Sequence, residues 1–166
     1  MTPRYPRHLT TFDYRGRHAY FLTFCTDRRV PLFTSRTVVD LVLGSFRQAA
    51  VVWSMAIVAY CFMPDHLHLL VEGRSDDSSL LDFVRMAKQR SGYAYARSFR
   101  TRLWQRYGYE RVLRSDEERF FVAAYVVANP VRAGLADDVR QYPFVGSDVY
   151  TMEELAEACA EVERHR

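Results

Sequence analysis

Lysine is almost absent from this chain. Lys88 is the only one among 23 basic residues, so nearly all the positive charge is guanidinium. A planar guanidinium offers paired donors that suit phosphate, although an arginine bias also follows from genomic base composition. Cysteine is scarce as well. Cys25, Cys61 and Cys159 are odd in number, widely separated and without a CxxC pair, which argues against a disulfide framework or a cysteine zinc site and leaves buried thiols as the expectation. No apolar run is long enough to span a bilayer: the longest, Val51 to Met63, is interrupted by Ser54. The opening MTPRYPRHLTTF lacks the apolar centre of a signal peptide, so a cytoplasmic protein with no membrane partner is expected. Internal repeats and low-complexity stretches are missing too, and 166 residues that are 49% hydrophobic and 26% charged suit one folded domain.

The net charge of +3 conceals an uneven distribution. Residues 1–36 carry seven arginines against Asp13 and Asp27, and residues 85–114 carry nine basic residues against Glu110. Residues 134–166 reverse the sign, with three arginines against eight acids. Two basic blocks and an acidic tail result, a pattern compatible with a polyanionic partner or with solvated helix faces.

Tyr20 to Thr26 is aromatic and β-branched and predicts a strand. Ser35 is a candidate N-cap for a helix to Ala50, along which Val38, Val39, Val42 and Phe46 recur at helical spacing. Val51 to Phe62 and His66 to Glu72 predict two strands joined by Met63-Pro64-Asp65, a connection short enough to require an antiparallel hairpin. A long helix follows from Leu80 to about Phe99, then a loop through Gly108 and a strand near Glu110 to Leu113. Another helix is predicted from about Ser115 to Ala128, stopped or kinked by Asn129-Pro130, and a last acidic one from Met152 to about Arg164. This order fits an α+β fold: an antiparallel sheet with helices packed on one face.

Side chains alternate along a strand, so His66, His68 and Glu72 share one face while Leu67, Leu69 and Val71 take the other. Two imidazoles on one face can reach a single metal ion, or can be ordinary residues of a half-exposed sheet. On the later helix, Tyr125 and Asn129 are four residues apart and stack on one face. Spacing alone makes them an amphipathic core residue and a cap ahead of Pro130 as readily as a catalytic pair.

The stretch from Ala59 to Leu70, AYCFMPDHLHLL, resembles the His-x-His signature of single-domain HUH tyrosine transposases. Tyr125 to Gly134, YVVANPVRAG, is similar to the tyrosine-to-NPVRAG segment of their REP-associated branch, and Leu103-Trp104-Gln105-Arg106-Tyr107 resembles the approach to it. The match runs in order from about Thr10 to Tyr150. It implies a ferredoxin-like core over residues 1–150 with a basic N-terminal arm, followed by an acidic C-terminal helix over 151–166 that has no counterpart in the family. It further implies that His66, His68 and Asn129 bind Mg²⁺ or Mn²⁺ beside Tyr125 as nucleophile. Asp65 departs from the family, where asparagine commonly precedes the first histidine, and adds a carboxylate near the expected metal.

Such an enzyme cleaves and rejoins single-stranded DNA through a covalent 5′-phosphotyrosine, which keeps the bond energy for rejoining. A phenol is a weak nucleophile at neutral pH, and a divalent cation that polarises the phosphate offsets this. Arg4, Arg7, Arg15 and Arg17 of the arm, and Arg85, Lys88, Arg90, Arg97, Trp104 and Arg106 of the second block, are the expected contacts to single-stranded or hairpin DNA. A homodimer is left open as the assembly. Tyr107 and Tyr109 are rival nucleophiles by proximity to the basic block, with base stacking as their favoured role. The alternatives are a non-catalytic single-stranded nucleic-acid-binding module and a nuclease in which water attacks.

Overall fold

The computed structural model describes residues 9, 11–114 and 116–164. Arg4, Arg7 and Ser115 therefore lie outside the described residues. The chain runs β1 (Ala19–Cys25), α1 (Arg36–Val52), β2 (Met55–Met63), β3 (His66–Gly73), α2 (Leu80–Phe99), β4 (Tyr109–Val112), α3 (Asp116–Arg132), β5 (Val145–Gly146) and α4 (Met152–Arg164). The strands form one antiparallel sheet in the order β4-β1-β3-β2-β5. The first four make the βαββαβ arrangement with β1 and β3 at the centre, which is the expected ferredoxin-like α+β core.

Strands apolar on both faces need cover on both. Tyr20, Leu22 and Phe24 of β1 and Leu67, Leu69 and Val71 of β3 pack with Val42 and Phe46 of α1 and Phe83 and Ala87 of α2. Phe21, Cys61, Met63 and Leu70 project the other way and pack with Val122 and Val126 of α3 and Leu155 and Cys159 of α4. The single helical layer expected from the sequence is thus the α1/α2 layer, and α3 and α4 add a second. The acidic α4 docks on α3 through Leu155, Ala158 and Cys159, so its apolar stripe is part of the second core.

Two predicted boundaries shift. Val51 and Val52 end α1 instead of beginning β2: they are 82% and 56% exposed, and the turn to β2 is made by Trp53 and by Ser54 at φ 52°. Of the stop or kink expected at Asn129-Pro130, the stop does not occur, because α3 continues through Pro130 to Arg132. Proline cannot donate to the carbonyl four residues back, here that of Val126. The Asn129 amide does so instead, its Nδ2 donating to Val126 O (3.2 Å) and Tyr125 O (3.0 Å). The helix then closes on Gly134 (φ 72°), with Gly134 N donating to Val131 O and Leu135 N to Pro130 O, a paired-bond ending that requires the left-handed conformation glycine adopts without strain.

Candidate active site

Cross-strand register builds the site. Met63 pairs with His66 across the two-residue Pro64-Asp65 turn, and on the other side of β3, Cys25 and Thr23 of β1 pair with His66 and His68. Both imidazoles face the α3 layer. Asp65 Oδ1 lies 2.7 Å from His66 Nδ1, and Arg29 Nε donates to Asp65 Oδ2 at 2.8 Å. Burial would raise the Asp65 carboxyl, but the hydrogen bonds from His66 and Arg29 outweigh it and hold the group below the usual carboxylate range. The network assigns the His66 proton to Nδ1, leaving its Nε2 lone pair directed at His68 Nε2, 3.1 Å away. Thr23 Oγ1 holds the other nitrogen of His68 at 3.0 Å, and Phe21 stacks on its ring at 5.6 Å. Burial, aided by the charges of His66 and Arg132, pushes the His68 pKa down to about 3. The ring is therefore neutral at physiological pH, the form that ligates metal.

α3 brings Tyr125 to this pair. Its ring meets His68 edge-on at 6.4 Å and Phe21 at 6.0 Å, yet the residue is 42% exposed. Arg132 lies over the opposite side, its guanidinium carbon 3.9 Å from the Tyr125 centroid, and its Nη2 donates to Asn129 Oδ1 at 3.2 Å. Arg132 reaches Tyr125 only because α3 runs on through Pro130: seven residues are two helical turns. Asn129 lies one turn beyond Tyr125 and is buried, with its amide nitrogen bound to its own helix and its oxygen accepting from Arg132. His66, His68 and Tyr125 therefore meet within one chain, while the Asn129 amide makes no bond to either histidine.

The residue set suits a divalent cation. Two imidazole nitrogens each about 2.1 Å from one ion and at right angles lie about 3 Å apart. Nε2 atoms at 3.1 Å fit that arrangement. Each ring's second nitrogen is held by Asp65 or Thr23, the support that ligating histidines typically have.

The expected DNA contacts do not gather at this point. Arg15 and Arg85 both pair with Asp82, and Arg17 pairs with Asp76. Arg90 donates to Gln48, Arg97 is exposed near the end of α2, and Arg106 lies over Tyr107. Trp104 needs correction as a DNA contact: it is 6% exposed, packs on Phe24, Phe33 and Phe46, and donates Nε1 to Ser91 Oγ at 2.9 Å. No face of it is open to a base. Lys88 also turns inward, its ammonium 5.1 Å from the Phe24 centroid and bonded to Gln105 O at 3.2 Å.

Burial, with the charge of Arg102, pushes the Lys88 pKa down to about 8. The unfolded chain then binds more protons than the native one between pH 8 and its ordinary value near 10.5, so stability rises with pH in that window. Lys88→Met is expected to flatten the rise between pH 8 and 10, by about 1–2 kcal/mol after allowance for partial exposure. Urea unfolding of both proteins across that range reads the difference, and parallel profiles would show that the amine is not desolvated.

Thr23, Phe21 and Arg29 carry no motif of their own, and Arg132, although it lies in the quoted NPVRAG segment, was given no role from sequence. Three of them reach the site through register and turn geometry. Arg132 follows Tyr125 at i+7, a signal masked by the helix break that Pro130 suggests.

The transposase family described as IS200-like matches residues 15–128, a span that holds both histidines and Tyr125 and ends one residue before Asn129. A REP-associated tyrosine transposase of Haemophilus influenzae is 23% identical over 145 residues, covering 80% of this chain and 81% of that protein. Among solved structures, a REP-associated tyrosine transposase bound to a REP hairpin aligns with a TM-score of 0.70 and 21% identity, over 84% of this chain and 82% of that one. A transposase from Deinococcus radiodurans aligns with a TM-score of 0.51 and 22% identity, over 73% of this chain and 95% of its own. At these identities the structural likeness is one of fold.

Proposed function

The chain belongs to the IS200-like transposase family, and from that premise we propose that it cleaves and rejoins single-stranded DNA through Tyr125, with a DNA hairpin as the recognised substrate. The observation that carries this reading is the half-exposed Tyr125 phenol at the rim of the His66/His68 pair. His66 and His68, with the amide oxygen of Asn129, would hold Mg²⁺ or Mn²⁺, which supplies charge to polarise the scissile phosphate. Asp65 and Thr23 orient the two rings, and burial keeps His68 neutral. Arg132 has no carboxylate partner among the described residues and sits against both Tyr125 and Asn129, where it can meet a non-bridging phosphate oxygen. Attack by the Tyr125 oxygen forms the bond to phosphorus and releases the phenolic proton to solvent. The bond to the 3′ oxygen breaks, and that oxygen leaves as a hydroxyl after taking a proton.

A hairpin is proposed as substrate because the solved REP-associated transposase that shares this fold is bound to one. One chain brings His66, His68 and Tyr125 together, so placing the nucleophile beside the histidine pair needs no second copy. A passive single-strand-binding sheet would need an open face, and here helices cover both. The test is incubation of labelled hairpin DNA carrying single-stranded flanks with the protein and Mn²⁺, followed by a denaturing gel. A protein–DNA adduct that EDTA prevents is expected. Salt-sensitive binding with no adduct on any of a varied DNA set would overturn the catalytic reading.

A further inference from the structure

We infer that a groove between the C-terminal half of α2 and the 100–106 loop binds the sugar–phosphate backbone of the DNA that flanks the cleavage point, an inference that rests on the transposase reading above. The groove has a volume of about 740 Å³ and no aspartate or glutamate in its lining. Arg100, Arg102 and Arg106 line it, and none has a carboxylate partner among the described residues, whereas Arg15, Arg17, Arg29, Arg47, Arg85, Arg119 and Arg140 are all paired. Unpaired guanidinium groups crowded together repel one another, and a polyanion relieves that repulsion. Arg100 caps α2 at φ 61°, a left-handed position where glycine or asparagine is the ordinary choice. The arginine there places a charge on the groove wall.

The chemistry favours the backbone over the bases. On the α2 side Gly92 and Ala96 carry little or no side chain beside the exposed Tyr93, and the indole of Trp104 is closed off behind the loop. The groove also adjoins the candidate active site. The loop is hydrogen-bonded to the end of β1, with Gln105 N donating to Cys25 O and Asp27 N donating to Leu103 O, and Cys25 is the register partner of His66. A nucleic-acid strand leaving the groove thus crosses the end of one β-strand to arrive at the histidine pair.

The experiment is fluorescence anisotropy of a labelled DNA hairpin with single-stranded flanks, titrated at several salt concentrations. Wild type is compared with Arg100→Gln/Arg102→Gln/Arg106→Gln and with Arg140→Gln as a surface control. The triple variant is expected to bind about tenfold or more weakly, with the slope of log affinity against log salt shallower by about 2 to 3. The loss should be equal for flanks of shuffled sequence, and the control should match wild type. Arg102 also donates to Trp104 O, so the double variant Arg100→Gln/Arg106→Gln, which keeps that bond, is expected to show about two-thirds of the slope change. Wild-type affinity and slope in both variants, or a loss confined to one flank sequence, would overturn the inference. The two readings fail differently: unchanged variant binding beside a wild-type adduct defeats the groove alone, and no adduct from wild type on any hairpin defeats the transposase reading.

Discussion

Tyr125→Phe is expected to abolish covalent adduct formation on hairpin DNA, by at least about a thousandfold, while DNA affinity stays within about twofold of wild type. The substitution removes one oxygen and leaves the ring contacts with Arg132, Phe21 and His68 in place. The hydroxyl makes no hydrogen bond among the described residues, so stability should change by less than about 0.5 kcal/mol. Denaturing gels with labelled hairpin and Mn²⁺ give the result directly. An adduct that persists would move the nucleophile elsewhere, first to Tyr109, which meets Phe21 from β4 with centroids 6.1 Å apart. Strand cleavage that persists without an adduct would point instead to attack by water.

The double substitution His66→Ala/His68→Ala is expected to be as severe by a different route. It should lose Mn²⁺ binding, read by the electron paramagnetic resonance signal of free Mn²⁺, together with adduct formation, by about a hundredfold or more. Hairpin affinity in EDTA should remain near that of wild type, because the arginine-lined groove lies on the α2 side of the sheet. Removing the His68 ring also takes away its stacking on Phe21 and its bond to Thr23. His66→Ala alone keeps both contacts and should show the same metal defect in a better-packed protein. Wild-type Mn²⁺ affinity in the single and double variants would return the pair to a structural role.

Local signals in the chain were enough to find most of the elements. The antiparallel hairpin follows from a connection too short for any other, and helix α1 follows from its apolar spacing and the Ser35 cap, whose hydroxyl accepts from Val38 N as expected. Where the local signal misled, a tertiary or side-chain contact decided. Val51 and Val52 are strand formers by type, yet they close a helix whose turn lies beyond them. Pro130 reads as a stop, yet the Asn129 amide supplies the donor that proline lacks and α3 continues.

The site divides along the same line. Strand alternation put His66 and His68 on one face, and helical spacing put Tyr125 and Asn129 on another, both from sequence alone. No sequence rule brings those two faces together. That contact arises because Phe21 of β1, Cys61 and Met63 of β2 and Leu70 of β3 make the second side apolar and α3 and α4 must cover it, which sets Tyr125 against His68 and Phe21. On the other side of the sheet, packing in the α1/α2 layer buries Trp104 and turns Lys88 inward, so residue type and position in a basic block did not reveal whether a side chain meets DNA or holds a loop. The sequence by itself determined the elements, the antiparallel hairpin and the identity of the chemical groups, because these depend on neighbours within a turn or two of the chain. Only the tertiary structure decided which groups share a site and which arginines lack a partner, because register, layer packing and ion pairing join residues tens of positions apart.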